Sequence, residues 1–304
     1  MLKMRDREDL LRKAWQKGVL TLRFSACYLA MMEPIIQAIV DQDSHGIIST
    51  APIEWELFEY KTPDEFMKEF QKWDKPDHVR VHIEHISTKH PLTHKPYDYE
   101  STVREIIDLG FPSLMIDGSY EENFETNIEV TKKVVELCHK NNVLVEAEAG
   151  EILGYDQKLP YQTIFEKRMG FTTPQQAERM VNETNCDWLA VAVGTIHGAL
   201  KGAAALEEKQ QSRLDIELIE QISNVVDVPL IVHGGTSINK DDIKMAVSKG
   251  LAKVCVGHDI RSRFQKVMQG KNSVLAAKQA VYDRVSWLIR EYYGIAGSSK
   301  IVNS

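Results

Sequence analysis

Three histidines lie at the ends of three apolar runs of this sequence or a few residues beyond them, where predicted β-strands end. They are His85, His197 and His233. Three imidazoles with an open fourth position make a typical catalytic zinc site. Each histidine could instead form a hydrogen bond near a strand end, but three at equivalent positions indicate a shared metal. Glu84, at the end of strand 3, and Glu148, at the end of strand 5, add titratable carboxylates at the same end of the predicted barrel.

Glycines and a lysine follow two of these histidines and are typical of an anion site. Backbone N–H groups at the start of a helix, together with a hydroxyl or an ammonium group, can bind a phosphate. Glycines are also what a tight turn between a strand and a helix requires, so neither motif is specific alone. Together they predict a phosphate site beside the metal. The residues are Gly198 and Lys201 after strand 6, and Gly234, Gly235 and Thr236 after strand 7.

Eight short apolar runs, separated by longer amphipathic stretches, must position these side chains. Strands that are apolar throughout and are followed by helices form a parallel sheet buried on both faces. Eight such repeats in 304 residues predict an α/β fold, a (β/α)8 TIM barrel with its active site at the C-terminal ends of the strands. The predicted strands are Val19–Ser25, Gly46–Thr50, Val79–His85, Pro112–Asp117, Val143–Glu148, Asp187–Val193, Pro229–His233 and Ala252–Gly257.

Residues 1–304 are expected to form a single domain. The segment 272–304 predicts one or two extra C-terminal helices and a flexible tail rich in glycine and serine. Alternation along strand 3 places His82 on the opposite face from His85, so we expect His82 to face the helices. The clearest helical patterns are Tyr99–Leu109, Glu122–Lys140, Pro174–Thr184, Ile216–Val225 and Asn239–Ser248.

The composition excludes several classes of protein. A net charge of −7 argues against nonspecific binding to nucleic acid, which needs a basic surface. No apolar run is long enough for a membrane span, and the charged N-terminus is unlike a secretory signal. The four cysteines are widely spaced, which suits reduced thiols in the cytoplasm.

The sequence resembles the class II, zinc-dependent ketose-bisphosphate aldolases that act on fructose or tagatose bisphosphate. The resemblance extends from about Val79 to Arg261 and rests on the order and spacing of three blocks. They are FPSLMIDGSYEENFETNIEVTKKVVELCHKNNVLVEAEAGEI, WLAVAVGTIHGALKG and VPLIVHGGTSINKDDIKMAVSKGLAKVCVGHDIR.

The resemblance implies a role for each candidate residue. It assigns the metal-binding histidines of the family to the three histidines above, and the catalytic aspartate to Glu84. A second metal position falls near Glu148, with Asp117 close by. The phosphate-binding positions fall on Gly198, Lys201, Gly234 and Thr236.

Several positions differ from the family pattern. Glu84 replaces an aspartate, and strand 8 has Cys255, Gly257 and His258 where the family has asparagine, aspartate and threonine. In the loop after strand 5, Asp156 or Glu166 would have to replace a mobile acidic residue. His258 could donate a hydrogen bond to an anion. The enlarged loops carry cations that could reach a distal acidic group of the substrate, or could be solvated charges: Lys89, Lys95, Lys158, Lys167 and Arg168.

The resemblance implies an aldolase that binds Zn²⁺ or another divalent ion, with Glu84 as the base and a phosphorylated sugar as the substrate. The altered strand 8 favours a substrate related to fructose 1,6-bisphosphate but distinct from it. An epimerase or isomerase that uses the same enediolate is one alternative, and a non-catalytic sugar-phosphate-binding subunit is another. We also expect a homodimer or homotetramer.

Overall fold

Eight parallel strands pair in chain order, and the first closes on the eighth to complete a barrel. A computed structural model describes residues 9–58, 62–121, 123–151, 159–195 and 211–304. The predicted TIM-barrel fold is confirmed. The strands are β1 Thr21–Ser25, β2 Gly46–Thr50, β3 Val79–Ser87, β4 Ser113–Asp117, β5 Leu144–Ala149, β6 Trp188–Val191, β7 Leu230–Val232 and β8 Leu251–Val256.

Helices surround the barrel, and most begin at a side chain that caps their first free N–H groups. Thr173 and Gln176 form a reciprocal capping box, and Asn123 accepts a hydrogen bond from the Thr126 N–H. No helix of the described residues is long and apolar enough to cross a membrane. The α-helices are α1 Leu10–Gln16, α2 Met32–Asp41, α3 Pro52–Leu57, α4 Pro63–Gln71, α5 Tyr99–Asp108, α6 Phe124–His139, α7 Tyr161–Glu166, α8 Pro174–Thr184, α9 Ile216–Ser223, α10 Lys240–Ser248, α11 His258–Lys271, α12 Val274–Trp287 and α13 Ser298–Asn303.

The C-terminal segment is more ordered than its composition suggests. A π-helix, Leu288–Tyr292, continues α12, and α13 follows it. The N–H groups of Gly297 and Ser299 donate to the carbonyls of Gln42 and Asp43. The prediction of a flexible tail is therefore wrong, because hydrogen bonds attach this segment to the turn before β2.

Apolar side chains form two compartments. The larger lies between the strands and the surrounding helices, as expected for strands buried on both faces. The smaller contains Met115, Trp188 and Ile231 from three strands and Leu11 from α1. The Trp188 indole N–H donates to Asp9, at the N-cap of α1, over 2.9 Å. Helix α1 therefore packs against this second, smaller compartment.

Candidate metal centre and active site

A network of buried charges links strands that are not neighbours in the barrel. The Arg23 Nε on β1 donates to Glu84 Oε1 on β3 over 2.7 Å, and a second guanidinium nitrogen contacts Oε2. The Lys253 ammonium on β8 lies 3.3 Å from Glu84 Oε1 and also contacts Glu146 Oε2 on β5. Because β5 and β8 are not adjacent, these contacts must cross the interior of the barrel.

The network keeps Glu84 and Lys253 charged. Burial would raise the pKa of Glu84, but Arg23 and Lys253 hold it well below its usual range. Burial would lower the pKa of Lys253, yet the carboxylates of Glu146 and Glu84 raise it. A protonated amine is not a nucleophile, so Lys253 is unsuited to Schiff-base chemistry.

Arg23, Glu146 and Lys253 were not among the predicted site residues. The available signal was a cation within each of two otherwise uncharged strands, β1 and β8. Since a buried charge must be paired, an inward-facing arginine and lysine imply buried carboxylates opposite them.

The prediction that His82 faces the helices is wrong. Its Nε2 lies 3.5 Å from both Glu84 Oε1 and Glu146 Oε2, and its Nδ1 lies 2.8 Å from the hydroxyl of Ser113. Burial, with a smaller effect of the Lys253 ammonium, lowers the pKa of His82 to about 3. The imidazole is therefore neutral inside the barrel.

His85 is the residue that departs from strand alternation. Its φ of 43° lies in the left-handed region, and the register between β3 and β4 shifts between Ile83 and Ile86. Its Nδ1 lies 3.1 Å from Asp117 Oδ2, and its Nε2 lies 4.0 Å from Glu84 Oε2. Burial opposes protonation, but the hydrogen bond with Asp117 raises the pKa of His85. An irregular backbone thus places His85 beside Glu84 at the mouth of the barrel.

His233, which follows β7, faces His85. The two ring centroids are 4.5 Å apart. The His233 Nε2 lies 3.0 Å from Glu146 Oε1, and its Nδ1 lies 3.3 Å from Glu84 Oε2. Burial lowers the pKa of His233 well below its usual range, so the ring is neutral, as a metal ligand requires.

The arrangement of the two rings fits a divalent metal. In each ring, one nitrogen donates to a carboxylate, Asp117 for His85 and Glu146 for His233. A carboxylate held in this way fixes the orientation of a ligating imidazole and makes its other nitrogen more basic. His197, the third predicted ligand, lies outside the described residues, as do Gly198 and Lys201.

Glu148 adds a second group of oxygen donors. Ligand atoms of His85, Asp117 and Glu148 lie within 4.8 Å of one another. Burial raises the pKa of Glu148 well above its ordinary value, and the carboxylate of Asp117 raises it further. The Oε2 atom of Glu148 is buried and accepts no hydrogen bond from a described residue. A cation would stabilise the ionised form of this carboxyl group.

The segment after His233 differs from the prediction that it opens a helix. Gly234 adopts the left-handed region with φ 73°, and a three-residue 3₁₀ turn, Gly235–Ser237, follows it. Ile238 is extended, and α10 begins separately after the cap residue Asn239. The backbone N–H groups around Thr236 therefore belong to a tight turn instead of the first turn of a helix.

At the end of β8, the positions that differ from the family pattern lie against β1. A Cβ atom added at Gly257 would lie 3.3 Å from the Ser25 Cβ. Gly257, which stands where the family pattern has aspartate, therefore lies close against β1. His258 is the first residue of α11, and its Nδ1 lies 3.3 Å from a guanidinium nitrogen of Arg261. Burial raises the pKa of the Cys255 thiol to about 12, so the sulfur carries its proton when no metal is bound.

Two of the rim cations have local carboxylate partners. Arg168 Nε lies 2.7 Å from Asp215 Oδ2, and the Lys89 ammonium lies 3.6 Å from Glu121. These contacts favour a structural role for both. Glu166, one of two candidates for the loop acid, is exposed and accepts a hydrogen bond from Gln162; Asp156, the other, lies outside the described residues, as does Lys158.

The sequence and the fold match known aldolases. The family model described as class II fructose-bisphosphate aldolase matches residues 5–300. A probable fructose-bisphosphate aldolase of Bacillus subtilis (strain 168) is 30% identical over 282 residues, which cover 92% of this chain and 89% of that protein. A fructose-bisphosphate aldolase of Thermus caldophilus is 34% identical over 218 residues, which cover 64% of this chain. The match spans 65% of that protein's length, which is just under two thirds.

A solved structure supports the same assignment. The crystal structure of the YdjI aldolase from Escherichia coli K12 superposes with a TM-score of 0.73 at 25% identity, and the match covers 95% of this chain and 97% of that chain. The family match spans nearly the whole chain and includes β3, which carries Glu84 and His85, and His233 after β7. The chain belongs to the class II fructose-bisphosphate aldolase family.

Proposed function

We propose that this protein is a metal-dependent aldolase that cleaves or forms a carbon–carbon bond in a phosphorylated ketose. The ligands of the ion, in our proposal Zn²⁺, are His85, His197 and His233. The observation that supports this most directly is the pair of facing imidazoles, each held through one ring nitrogen by a buried carboxylate. That pattern is typical of histidines that ligate a metal.

A bound divalent ion would act as a Lewis acid toward the ketone of the substrate and its adjacent hydroxyl. The other requirement of retro-aldol cleavage is a base for the hydroxyl proton. We assign this role to Glu84, and the assignment is supported by the distances from Oε2, which lies 3.3 Å from one histidine ring and 4.0 Å from the other. Arg23 and Lys253 keep the carboxylate ionised and fixed in position, so it is available to accept the proton.

The same pair of cations limits how strong a base Glu84 can be. A base with a lowered pKa has less driving force for proton transfer, but nearly all of it is in the reactive form. Glu148, whose pKa is raised, and Asp117 form the second oxygen site beside His85. We propose that Glu148 provides the inward metal position and that Asp117 orients His85.

For the substrate, we propose a phosphate at one end and a distal group different from that of fructose 1,6-bisphosphate. Gly234 and Thr236 lie in the tight turn after β7, beside His233, where backbone N–H groups can reach an anion. Gly198 and Lys201 would complete that site. Cys255, Gly257 and His258 alter the β8 side of the pocket, where the family pattern has asparagine, aspartate and threonine.

Two other functions would use the same site. The altered β8 is compatible with an epimerase or isomerase that forms the enediolate without cleaving the chain, and with a sugar-phosphate-binding subunit that has no activity of its own. The intact histidine pair and its carboxylates favour catalysis, because a binding subunit does not need them.

Product analysis separates these functions. The zinc-loaded protein is incubated with a panel of phosphorylated ketoses that includes fructose 1,6-bisphosphate, and the products are identified by mass spectrometry. We expect a triose phosphate or a related ketone phosphate together with an aldehyde. A product with all its carbon atoms retained would support the isomerase, and the absence of any turnover would support the binding subunit.

A further inference from the structure

Cys255 differs from the other cysteines in its surroundings. All four cysteines are free and buried. Among the described residues, Cys255 is the one cysteine that belongs to a group able to hold a metal, formed with Glu84 and His233. The ligand atoms of this group lie within 4.8 Å of one another, and all three residues are buried.

We propose that the Cys255 Sγ is a direct ligand of the divalent ion bound by His233, and that it gives the site a preference for a thiophilic ion such as Zn²⁺ over Mg²⁺. The inference rests on the proposed function, because it extends the ligand set of the same metal. It assigns a role to one of the β8 residues that differ from the family pattern.

The distances allow this coordination. Zinc binds thiolate sulfur at about 2.3 Å and imidazole nitrogen at about 2.0–2.1 Å, so two ligands of one ion are at most about 4.4 Å apart. The ligand atoms of the group are at most 4.8 Å apart, so they need to move by only a few tenths of an ångström to bind one ion. Strands β7 and β8 are hydrogen-bonded neighbours, with Val232 opposite Val254, so His233 and Cys255 follow at the same level of the barrel.

The charges favour a thiolate at this point. The cations Arg23 and Lys253 are already balanced by the carboxylates of Glu84 and Glu146. A divalent ion adds two positive charges to a buried site; the carboxylates of Asp117 and Glu148 lie on the His85 side, and a thiolate would supply negative charge on the His233 side. A cysteine ligand would release its proton to solvent on binding and supply one compensating negative charge.

Ligand type then decides metal preference. Thiolates are soft ligands that select Zn²⁺ and related ions, whereas Mg²⁺ prefers a set of oxygen ligands. The usual reason for a buried cysteine is packing as a small apolar residue, and Cys255 also belongs to the smaller apolar compartment, together with Ile231. Packing alone predicts no effect of Cys255 on the spectrum of a bound metal, so the two roles can be separated.

Cobalt substitution tests the proposal. Co²⁺ is bound to the full chain, and absorption spectra are recorded for the wild type, Cys255→Ala, Cys255→Ser and Cys138→Ala. Cys138 on α6 is the matched control, because it is also buried but belongs to no such group among the described residues. We expect an intense thiolate-to-cobalt charge-transfer band in the wild type and in Cys138→Ala, and its loss in both Cys255 variants.

Zinc affinity is measured on the same proteins by competition with a chelator. We expect Cys255→Ala to weaken zinc binding by about tenfold or more, since replacement of a residue that merely supports a ligand already costs that much. A wild-type protein that binds Co²⁺ through the histidines without a charge-transfer band would overturn the proposal. This result needs no variant and so does not depend on whether the variants fold.

The outcome is distinguishable from failure of the proposed function. A charge-transfer band in a protein that cleaves no phosphorylated ketose would support the Cys255 ligand and contradict the aldolase. Metal-dependent cleavage without such a band would support the aldolase and contradict the Cys255 ligand.

Discussion

Glu84 lies beside two cations and three histidines, so its replacement has two separable consequences. The carboxylate pairs with Arg23 and Lys253, and Oε2 lies beside His233 and His85. Removal of one member of a buried ion pair leaves the partners uncompensated and lowers the free energy of unfolding. A loss of catalysis must therefore be measured at a temperature where the variant remains folded.

We predict that Glu84→Gln lowers kcat by about 100-fold or more, in the range contributed by a general base, while the protein still binds its metal. Glu84→Asp should also be impaired if the longer side chain is matched to this substrate. Steady-state kinetics and metal analysis of the same samples measure both effects. Normal turnover of the Gln variant would remove Glu84 from the mechanism.

Glu146→Gln is the matched control for this experiment. Glu146 shares Lys253 and His233 with Glu84, but its Oε1 contacts the His233 nitrogen that faces away from Glu84. Its loss should weaken metal binding, by about 10- to 100-fold, more than it lowers kcat at saturating metal. Equal losses of kcat in the two variants would mean that the charge network as a whole, and not Glu84 as a base, accounts for the effect.

At the scale of elements, close packing between the turn after β7 and strand β8 constrains the site. A Cβ atom added at Gly235 would lie 2.3 Å from Val254 Cγ1 and 2.8 Å from the Cys255 carbonyl oxygen. Gly235→Ala must therefore displace β8, at a cost of about 1–3 kcal/mol for an overpacked core. Gly270→Ala is the control, because nothing lies within 4 Å of its added Cβ and α11 should gain stability.

Urea unfolding of the two glycine variants measures the difference. We expect a lower midpoint for Gly235→Ala and an unchanged or higher midpoint for Gly270→Ala. If both variants unfold like the wild type, the turn after His233 is not packed against β8 as described.

His45 couples the C-terminal helix to the barrel in a pH-dependent way. Its Nε2 lies 2.8 Å from the Thr21 hydroxyl on β1, and its Nδ1 lies 3.0 Å from the Ser298 hydroxyl on α13. Burial lowers the pKa of His45 to about 4 from its ordinary value of 6.5. Between these values the unfolded chain binds a proton that the folded chain does not, so stability is complete above 6.5 and falls as the pH drops toward 4.

Proton binding to His45 in the unfolded chain lowers the free energy of unfolding by about 2 kcal/mol between about pH 7 and about pH 5. Urea unfolding of His45→Asn should show a smaller decrease across this range than unfolding of the wild type. His94→Asn serves as the control, because His94 is exposed and its left-handed φ of 56° suits asparagine. Identical pH dependence in wild type and His45→Asn would contradict the role of His45.

Most elements could be predicted from apolar periodicity, and every predicted strand is observed within two residues at each end. The orientation of the side chains on β3 could not be predicted from this periodicity. Strict alternation places His82 outside when His85 is inside, but the left-handed His85 interrupts the alternation, so both residues lie at the site. A local irregularity of this kind depends on tertiary contacts, here the hydrogen bond to Asp117, and the sequence pattern does not reveal it.

At the scale of the whole molecule, the barrel and the set of residues at its C-terminal mouth follow from the eight repeats and the family motifs. The pairing of Arg23 and Lys253 with Glu84 does not follow from these features, because this pairing joins strands that are far apart in the sequence. Which charges meet across a barrel depends on strand register and tilt, which the order of elements leaves open.

We predict that the protein forms a homodimer or homotetramer in solution. Helices α12 and α13 extend the barrel beyond its eight repeats and supply additional surface, including the exposed side chains of Val274 and Leu275. Light scattering coupled to size-exclusion chromatography measures the molar mass directly. A mass of one chain at micromolar concentration would contradict the prediction.

In the proposed mechanism, His85, His197 and His233 hold a divalent ion that the reaction requires. The most direct measurement determines metal content and carbon–carbon cleavage together on the native protein, the chelator-treated protein and His233→Ala. We predict about one ion per chain in the native protein, loss of both ion and cleavage with the chelator, and recovery of both with Zn²⁺. His233→Ala should lack both; full metal content and undiminished cleavage in that variant would contradict the claim.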